Sequence, residues 1–401
     1  MQRRLRVGII GGGIGGAALA GALAQRGIEA RLYERAPAFG QVGAGIQMTP
    51  NAVKVIRALG QWEALRDASF LPAAIVGRNW RTARVMFRTP LRDECPKLYG
   101  AEFFHVHRAD LHRILVGLLP ENAATLGARC TGIRQERGVA VASFEDGREA
   151  EADVIVGADG IHSTVRRDLF GEAPPRFTGN MCWRAVVPVD GPVDFVSPDS
   201  SFWMGPNGHV VTYYVRGGRA VNIVAVLETK DWVQESWNVP SSRAELTAGY
   251  AGWHENLQTL FSRTDAVFKW GLFDRDPMAA WSVGRVTLLG DAAHPMLPFL
   301  SQGAAMAIED AYVLADRLAA EADPTVALRA YEALRRPRTA RVQLESRERG
   351  RTYHLASPIA QLRRDVSYWF RSLINPHRSG IQTNWVYSYD ATAAPPLREA
   401  A

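Results

Sequence analysis

Apolar positions fall into short blocks separated by glycine or polar residues, and the period of each block predicts its conformation. The first, Arg4 to Ile10, reads as a strand. It runs into Gly11-Gly12-Gly13-Ile14-Gly15-Gly16 and then a helix of small residues from Ala17 to Gln25, which Gly27 stops. Ala30 to Glu34 is a second strand, so the opening forms a strand–turn–helix–strand unit. Arg108-Ala109-Asp110-Leu111 opens a helix in which Leu111, Ile114, Leu115 and Leu118 share one buried face. Val154-Ile155-Val156 is a short strand ending in Gly157-Ala158-Asp159-Gly160.

From about Asn180 to Phe273 the pattern changes. Val210 to Val215 and Ala220 to Leu227 are β-branched and aromatic runs joined by Arg216-Gly217-Gly218-Arg219, a hairpin within a larger antiparallel sheet. A strand followed by a helix returns at Arg285 to Leu289, then Gly290-Asp291, then Ala304, Ala307, Ile308, Ala311, Leu314 and Leu318. The expected class is α/β: a Rossmann-like nucleotide domain in two pieces (1–178 and 275–345), an inserted antiparallel sheet that binds substrate (179–274), and a C-terminal helical and irregular tail (346–401).

Composition narrows this further. Across 401 residues the net charge is +6 without any block of like charge, which favours a small anionic ligand over nucleic acid. Cys95, Cys130 and Cys182 are widely separated and fit no zinc spacing, so they read as reduced thiols of a cytoplasmic protein. No apolar run reaches the length of a membrane span. Arg3, Arg4 and Arg6 before the run from Val7 imitate a signal peptide, but the glycine spacing there is that of a phosphate-binding turn.

In Gly11-x-Gly13-x-x-Gly16 the first glycine makes the turn, the second admits a pyrophosphate, and the third lets helix approach strand; the helix N-terminus then faces the phosphates. Glu34, eighteen residues beyond Gly16, ends the next strand, where a carboxylate accepts from the adenosine ribose. This unit alone leaves FAD and NAD open, and an NAD-dependent dehydrogenase or a non-catalytic flavin-binding protein would share it. No second Gly-x-Gly-x-x-Gly exists, so NADH or NADPH is expected only as a transient co-substrate.

Two later segments, Gly157-Ala158-Asp159-Gly160 and Gly290-Asp291-Ala292-Ala293-His294-Pro295, decide between them. With these the chain, from Arg4 to about Arg338, resembles the single-component FAD-dependent aromatic hydroxylases, especially those of salicylate, 3-hydroxybenzoate and 6-hydroxynicotinate. The resemblance implies non-covalent FAD, reduction by NAD(P)H, and transfer of one oxygen of O₂ through a flavin C4a-hydroperoxide to a small hydroxylated aromatic carboxylate, with CO₂ lost where the carboxyl sits on the attacked carbon. By resemblance Glu34 and Arg35 lie at the ribose, Arg108 reaches the phosphate and ribityl region, Asp159 lies near the pyrophosphate, and Asp291 meets the ribityl chain. Gly15 belongs to the turn, Gln47 to the loop near which the isoalloxazine swings, and Cys130 to a position whose backbone touches the adenine. Gly303 and Ala304 bring backbone N–H groups to the flavin edge. A monomer or homodimer is expected.

His209 and Tyr213 are four apart in an extended run, hence on one strand face about 13 Å apart. The resemblance makes them the groups that face the substrate ring and act on its hydroxyl; packing of the sheet is the alternative. Tyr214 belongs to the opposite face. His105, His107 and His112 invite a metal reading, but their spacing supplies no further ligand. His294 is either an active-site group or a bonded loop histidine. Leu334-Arg335-Arg336-Pro337-Arg338 reads as a solvated helical face. Pro298-Phe299-Leu300 departs from relatives that place a polar or imidazole group there.

Overall fold

The computed structural model describes residues 5–40, 43–230, 239–375 and 384–393. The strands Arg6–Ile10, Glu29–Glu34, Val154–Gly157 and Val286–Leu288 lie in one six-stranded sheet, completed by Ala124–Leu126 and the antiparallel edge pair Ser282–Val283. Their pairings are parallel, with Gly8 opposite both Ile155 and Arg31 and Val156 opposite Thr287. Parallel strands end together, so the turns after Ile10, Gly157 and Leu288 gather at one sheet edge, the usual ligand edge of such sheets. The first helix spans Ile14–Gln25, and its small residues let it pack under the sheet with Ala17, Ala18 and Leu19 fully buried.

A second sheet has eight strands, ordered Val239–Ser241, Val267–Asp274, Arg176–Pro188, Ala220–Glu228, Gly208–Val215, Ser200–Gly205, Ala74–Asn79 and Val85–Pro90. The expected hairpin is present, with Thr212 opposite Ile223. The sheet is not drawn from residues 179–274 alone. Two strands of the first segment complete it, and Ala74–Asn79 pairs parallel to Ser200–Gly205, with Val76 opposite Ser201. The pairing satisfies backbone groups of Ser200–Gly205 that would otherwise form an open edge.

The chain then forms the helices Gly303–Ala320, Pro324–Tyr353 and Pro358–Ile374. Asn384–Ser388 is a short helix in the expected irregular tail; residues 376–383 and 394–401 lie outside the described residues. No helix among the described residues is long and apolar enough to cross a membrane. Cys95, Cys130 and Cys182 are buried thiols.

The stretch expected to be a solvated face is instead partly interior. Arg335 is fully buried and Arg338 nearly so. Arg335 meets Asp310 (Nε–Oδ1 2.7 Å) and Glu309 (Nη1–Oε2 2.6 Å), while Arg338 grips Glu309 with two N–O contacts of 2.8 and 2.9 Å. Asp310 also meets His294 Nε2 at 2.5 Å, and Asn51 donates to Glu309 at 2.6 Å. His294 is thus a bonded interior histidine. Local charge density suggested solvent, but the pairing acids on the preceding helix make burial tolerable.

Arg335→Met is expected to destabilise the protein by about 3–5 kcal/mol, because it leaves buried carboxylates uncompensated. Urea unfolding checks this; a loss under about 1 kcal/mol would mean the cluster is not held by charge.

Candidate active site

The two sheets enclose a cavity of about 420 Å³, lined from the nucleotide side by Gly13, Gly15, Arg108, Asp291, Gly303 and Ala304. From the sheet side it is lined by Arg184, Phe202, His209, Val211, Tyr213 and Trp270. The glycines divide their work. Gly11 has φ +106°, and a Cβ there would lie 2.4 Å from the Ala158 carbonyl oxygen. A Cβ on Gly15 would meet Leu289 at 2.5 Å, and one on Gly16 would strike the Gly11 carbonyl. A Cβ on Gly13 would meet nothing within 4 Å, and the same holds at Gly303. Those two positions face open space at the starts of helices Ile14–Gln25 and Gly303–Ala320, and neither helix has a side-chain cap. Two uncapped helix N-termini presenting N–H groups to one cavity fit an extended, doubly phosphorylated dinucleotide such as FAD.

Glu34 closes the turn from the side: its Oε2 accepts from Gly12 N at 2.7 Å and its Oε1 from Ala36 N at 2.8 Å. His112 Nε2 bonds the Gly12 carbonyl oxygen at 2.6 Å, fixing the turn from below. Arg35 is exposed beside Glu34. Arg108 begins the helix Arg108–Val116, and its backbone N–H donates to Ala44 O at 2.9 Å. Burial weakens its hold on the proton, as does Arg184 nearby, while Asp291 and Glu34 strengthen it. Burial likewise pushes the Asp291 carboxyl above its ordinary value, against the pull of His294 and Arg108. Gln47 lines the cavity and donates to Ser200 Oγ at 2.9 Å.

Asp159 and Cys130 are not among the residues that line the cavity. The Asp159 carboxylate accepts from Ser163 Oγ at 2.5 Å and Thr164 N at 2.8 Å, so it caps the helix Thr164–Phe170. It is the neighbouring Ala158 and Gly160 that line the cavity. Cys130 Sγ donates to the Gly132 carbonyl at 3.6 Å and does not line the cavity; burial pushes its thiol up to about 11.

Alternation holds on the strand Gly208–Val215. His209, Val211 and Tyr213 line the cavity, whereas Tyr214 turns into the other core and bonds Val193 N at 2.8 Å. His209 Nδ1 lies 2.6 Å from His354 Nε2, and its ring stacks on Phe202 with centroids 4.9 Å apart. Burial and His354 hold it well below the ordinary histidine value, so it is neutral. Burial raises the Tyr213 hydroxyl, whose ring lies 4.3 Å from that of His105. Burial pushes the pKa of His105 down to about 3, against a weaker pull from the Tyr214 backbone. His107 bonds the Gly43 carbonyl at 3.0 Å and caps Ala109 N, so the three histidines of the metal reading hold turns, helix starts or aromatic rings. Phe299, in the departing segment, packs edge-on against His209 at 5.2 Å.

Sequence reasoning missed Arg184 and His354. Arg184 lies over the Trp270 ring at 4.6 Å, and its Nε is buried without a partner. The available signal was parity: Trp183, Ala185 and Val187 are core, so a charge at 184 points to the other face. His354 joins the site from the far end of the helix Pro324–Tyr353, and no local pattern carries that.

Residues 4–346 match the family described as an FAD binding domain, and the chain belongs to that family. Within it the chain is an FAD-dependent aromatic-ring monooxygenase. It is 43% identical to the 3-amino-4-hydroxybenzoate 2-monooxygenase PtmB3 of Streptomyces platensis over 97% of both chains. It is 37% identical to the 6-hydroxynicotinate 3-monooxygenase of Bordetella bronchiseptica over 98% of both. Among solved structures, Klebsiella pneumoniae HpxO complexed with FAD and uric acid superposes with a TM-score of 0.83 at 27% identity, covering 91% of this chain and 93% of that one.

Gly13→Ala should leave the apoprotein's stability within about 0.5 kcal/mol while weakening FAD retention, whereas Gly11→Ala should destabilise the fold itself. Denaturation of both apoproteins, with FAD titration by fluorescence, separates the two effects. Equal FAD affinity in Gly13→Ala and the parent would remove the turn from the binding site.

Below about pH 6.5 the unfolded chain protonates His105 and the folded chain does not, so stability falls as pH falls until the folded value near 3. At pH 5 this amounts to about 2 kcal/mol. Urea unfolding of His105→Phe at pH 7 and 5 should show that much of the acid sensitivity removed; an unchanged slope would assign it elsewhere.

Proposed function

We propose that this monooxygenase uses NADH or NADPH to hydroxylate a small aromatic carboxylate bearing a ring hydroxyl or amine, with 3-amino-4-hydroxybenzoate and 6-hydroxynicotinate foremost and 3-hydroxybenzoate and salicylate next. The observation that carries this reading is the composition of the cavity: an aromatic and aliphatic wall holding one guanidinium with a buried, unpartnered Nε, together with a neutral histidine and a tyrosine. An apolar wall accepts the ring, and Arg184 pairs with its carboxylate through charge-assisted hydrogen bonds.

FAD, when bound, supplies electron transfer from the nicotinamide and activation of O₂. Arg108, Glu34 and the two helix N-termini would hold it, with N–H groups of Gly303 and Ala304 available to the negative charge it gains on reduction. His209 takes the proton of the ring hydroxyl through Nε2, which enriches the carbon to be attacked. Tyr213 polarises the same substituent. Phe202, Phe299 and Trp270 exclude water from the reacting centre. Where the carboxyl occupies the attacked carbon, CO₂ leaves.

The test is NADH and NADPH oxidation with O₂ uptake across the four carboxylates and their carboxamides. Arg184→Met should raise KM for the preferred carboxylate by about 10- to 100-fold, the equivalent of a charge-assisted hydrogen bond, and move the carboxamide's KM little. Failure of all four carboxylates to stimulate oxidation, or an equal KM change for acid and amide, would overturn the substrate class.

A further inference from the structure

His209 is the inner end of a line of polar groups that crosses the wall of the cavity. Its Nδ1 lies 2.6 Å from Nε2 of His354, and the imidazoles stack with centroids 4.9 Å apart and planes 28° from parallel. On the far side His354 Nδ1 lies 3.4 Å from Oε1 of Glu228. The His354 side chain is 2% exposed and that of Glu228 is 49% exposed, so the line runs from an enclosed cavity to solvent. Phe202, Phe299 and Tyr353 pack around the two rings. The backbone holds the components in place, since Asn207 N donates to the His354 carbonyl at 3.2 Å and Glu228 N donates to the Asn207 carbonyl at 2.8 Å.

We propose that Glu228 and His354 form the proton exit of this active site, with Glu228 setting the tautomers of both histidines. The inference rests on the reading of His209 as the base. A carboxylate accepts only, so Glu228 selects the His354 tautomer that carries its hydrogen on Nδ1. His354 Nε2 is then a lone pair, which selects the His209 tautomer with hydrogen on Nδ1. That leaves His209 Nε2, on a residue that lines the cavity, as a lone pair for the ligand.

When the substrate's O–H bond breaks, its hydrogen forms the His209 Nε2–H bond. The Nδ1 proton of His209 passes to His354 Nε2, the Nδ1 proton of His354 passes to Glu228, and water takes it from there. One proton leaves the cavity, no electrons change hands, and no buried imidazolium persists. The same line run backwards returns a proton as product leaves and restores the starting tautomers. Without the relay His209 would have to hold the proton as a cation in an apolar wall, which burial strongly disfavours.

The experiment uses the FAD-loaded enzyme and 4-hydroxy-3-nitrobenzoate, whose phenolate is coloured, mixed by stopped flow at a pH where the free hydroxyl is protonated. Phenolate formation is read by absorbance and proton release by an indicator dye. In the parent both should appear together on binding. In Glu228→Gln and His354→Gln they should slow by tenfold or more with the probe's Kd changed less than threefold, and small carboxylate buffers should restore the rate in Glu228→Ala. A merely structural role for Glu228 would not respond to such buffers. If His354→Gln fails to fold, the half-exposed Glu228 variants carry the test. Unchanged rates in the variants would overturn the relay and leave His209 as base. A probe that binds the parent without forming phenolate would overturn the base and the relay together, and one that does not bind would count against the substrate class and with it the relay.

Discussion

Everything around the cavity depends on two adjacent carboxylates with no contact with water. Glu309 and Asp310 sit on the helix whose first turn faces the flavin site, and both are completely buried. Burial would push both carboxyls up, but Arg335 and Arg338 outweigh it at Glu309, and His294 and Arg335 do so at Asp310, so both end below their ordinary values. Such a cluster tolerates little displacement, because a charge separated from its partner in a dry interior costs several kcal/mol. Its members come from the helix Pro50–Ala58, the turn after Leu289, the helix Gly303–Ala320 and the helix Pro324–Tyr353. The helix N-terminus at Gly303 is therefore fixed relative to the turn after Leu289 by electrostatics deep behind it.

That rigidity suits a cavity with two chemically different walls. One side is lined by Gly13, Gly303 and Arg108, and on the other a pleated sheet offers alternating side chains. Strand parity decides which residues enter, and His209, Val211 and Tyr213 enter together while their neighbours build the second core. His209 on this wall is kept neutral by burial, the form able to accept a proton.

What the sequence makes legible is what neighbouring residues determine. The turn Gly11 to Gly16, Glu34 at the end of the next strand, the hairpin joining Val215 to Ala220 and the face shared by His209 and Tyr213 all follow from spacing within one or two elements. What it hides is settled by distant partners. Arg335 and Arg338 look solvated until Glu309 and Asp310 are seen beside them, and Asn51 reaches Glu309 across 258 positions. His354 meets His209 across 145 positions. Asp159 resembles a ligand contact, yet Ser163 and the start of the next helix claim its carboxylate. The strands Ala74–Asn79 and Val85–Pro90 carry ordinary apolar runs, and only pairing with Ser200–Gly205 assigns them to the second sheet.

The parallel pairing of Ala74–Asn79 with Ser200–Gly205 bears on how the chain acquires its shape. Val76 and Ser201 are far apart in sequence, and closing so long a loop costs entropy before any contact rewards it. The early strand must wait through synthesis of the whole intervening stretch, with its edge unpaired and open to wrong partners. The polypeptide emerges with its nucleotide turn already local and compact, while the sheet that encloses the ring is assembled late. The substrate wall and the cofactor wall are thereby committed to one cooperative folding event, and an excised sheet would carry an unpaired strand at its edge.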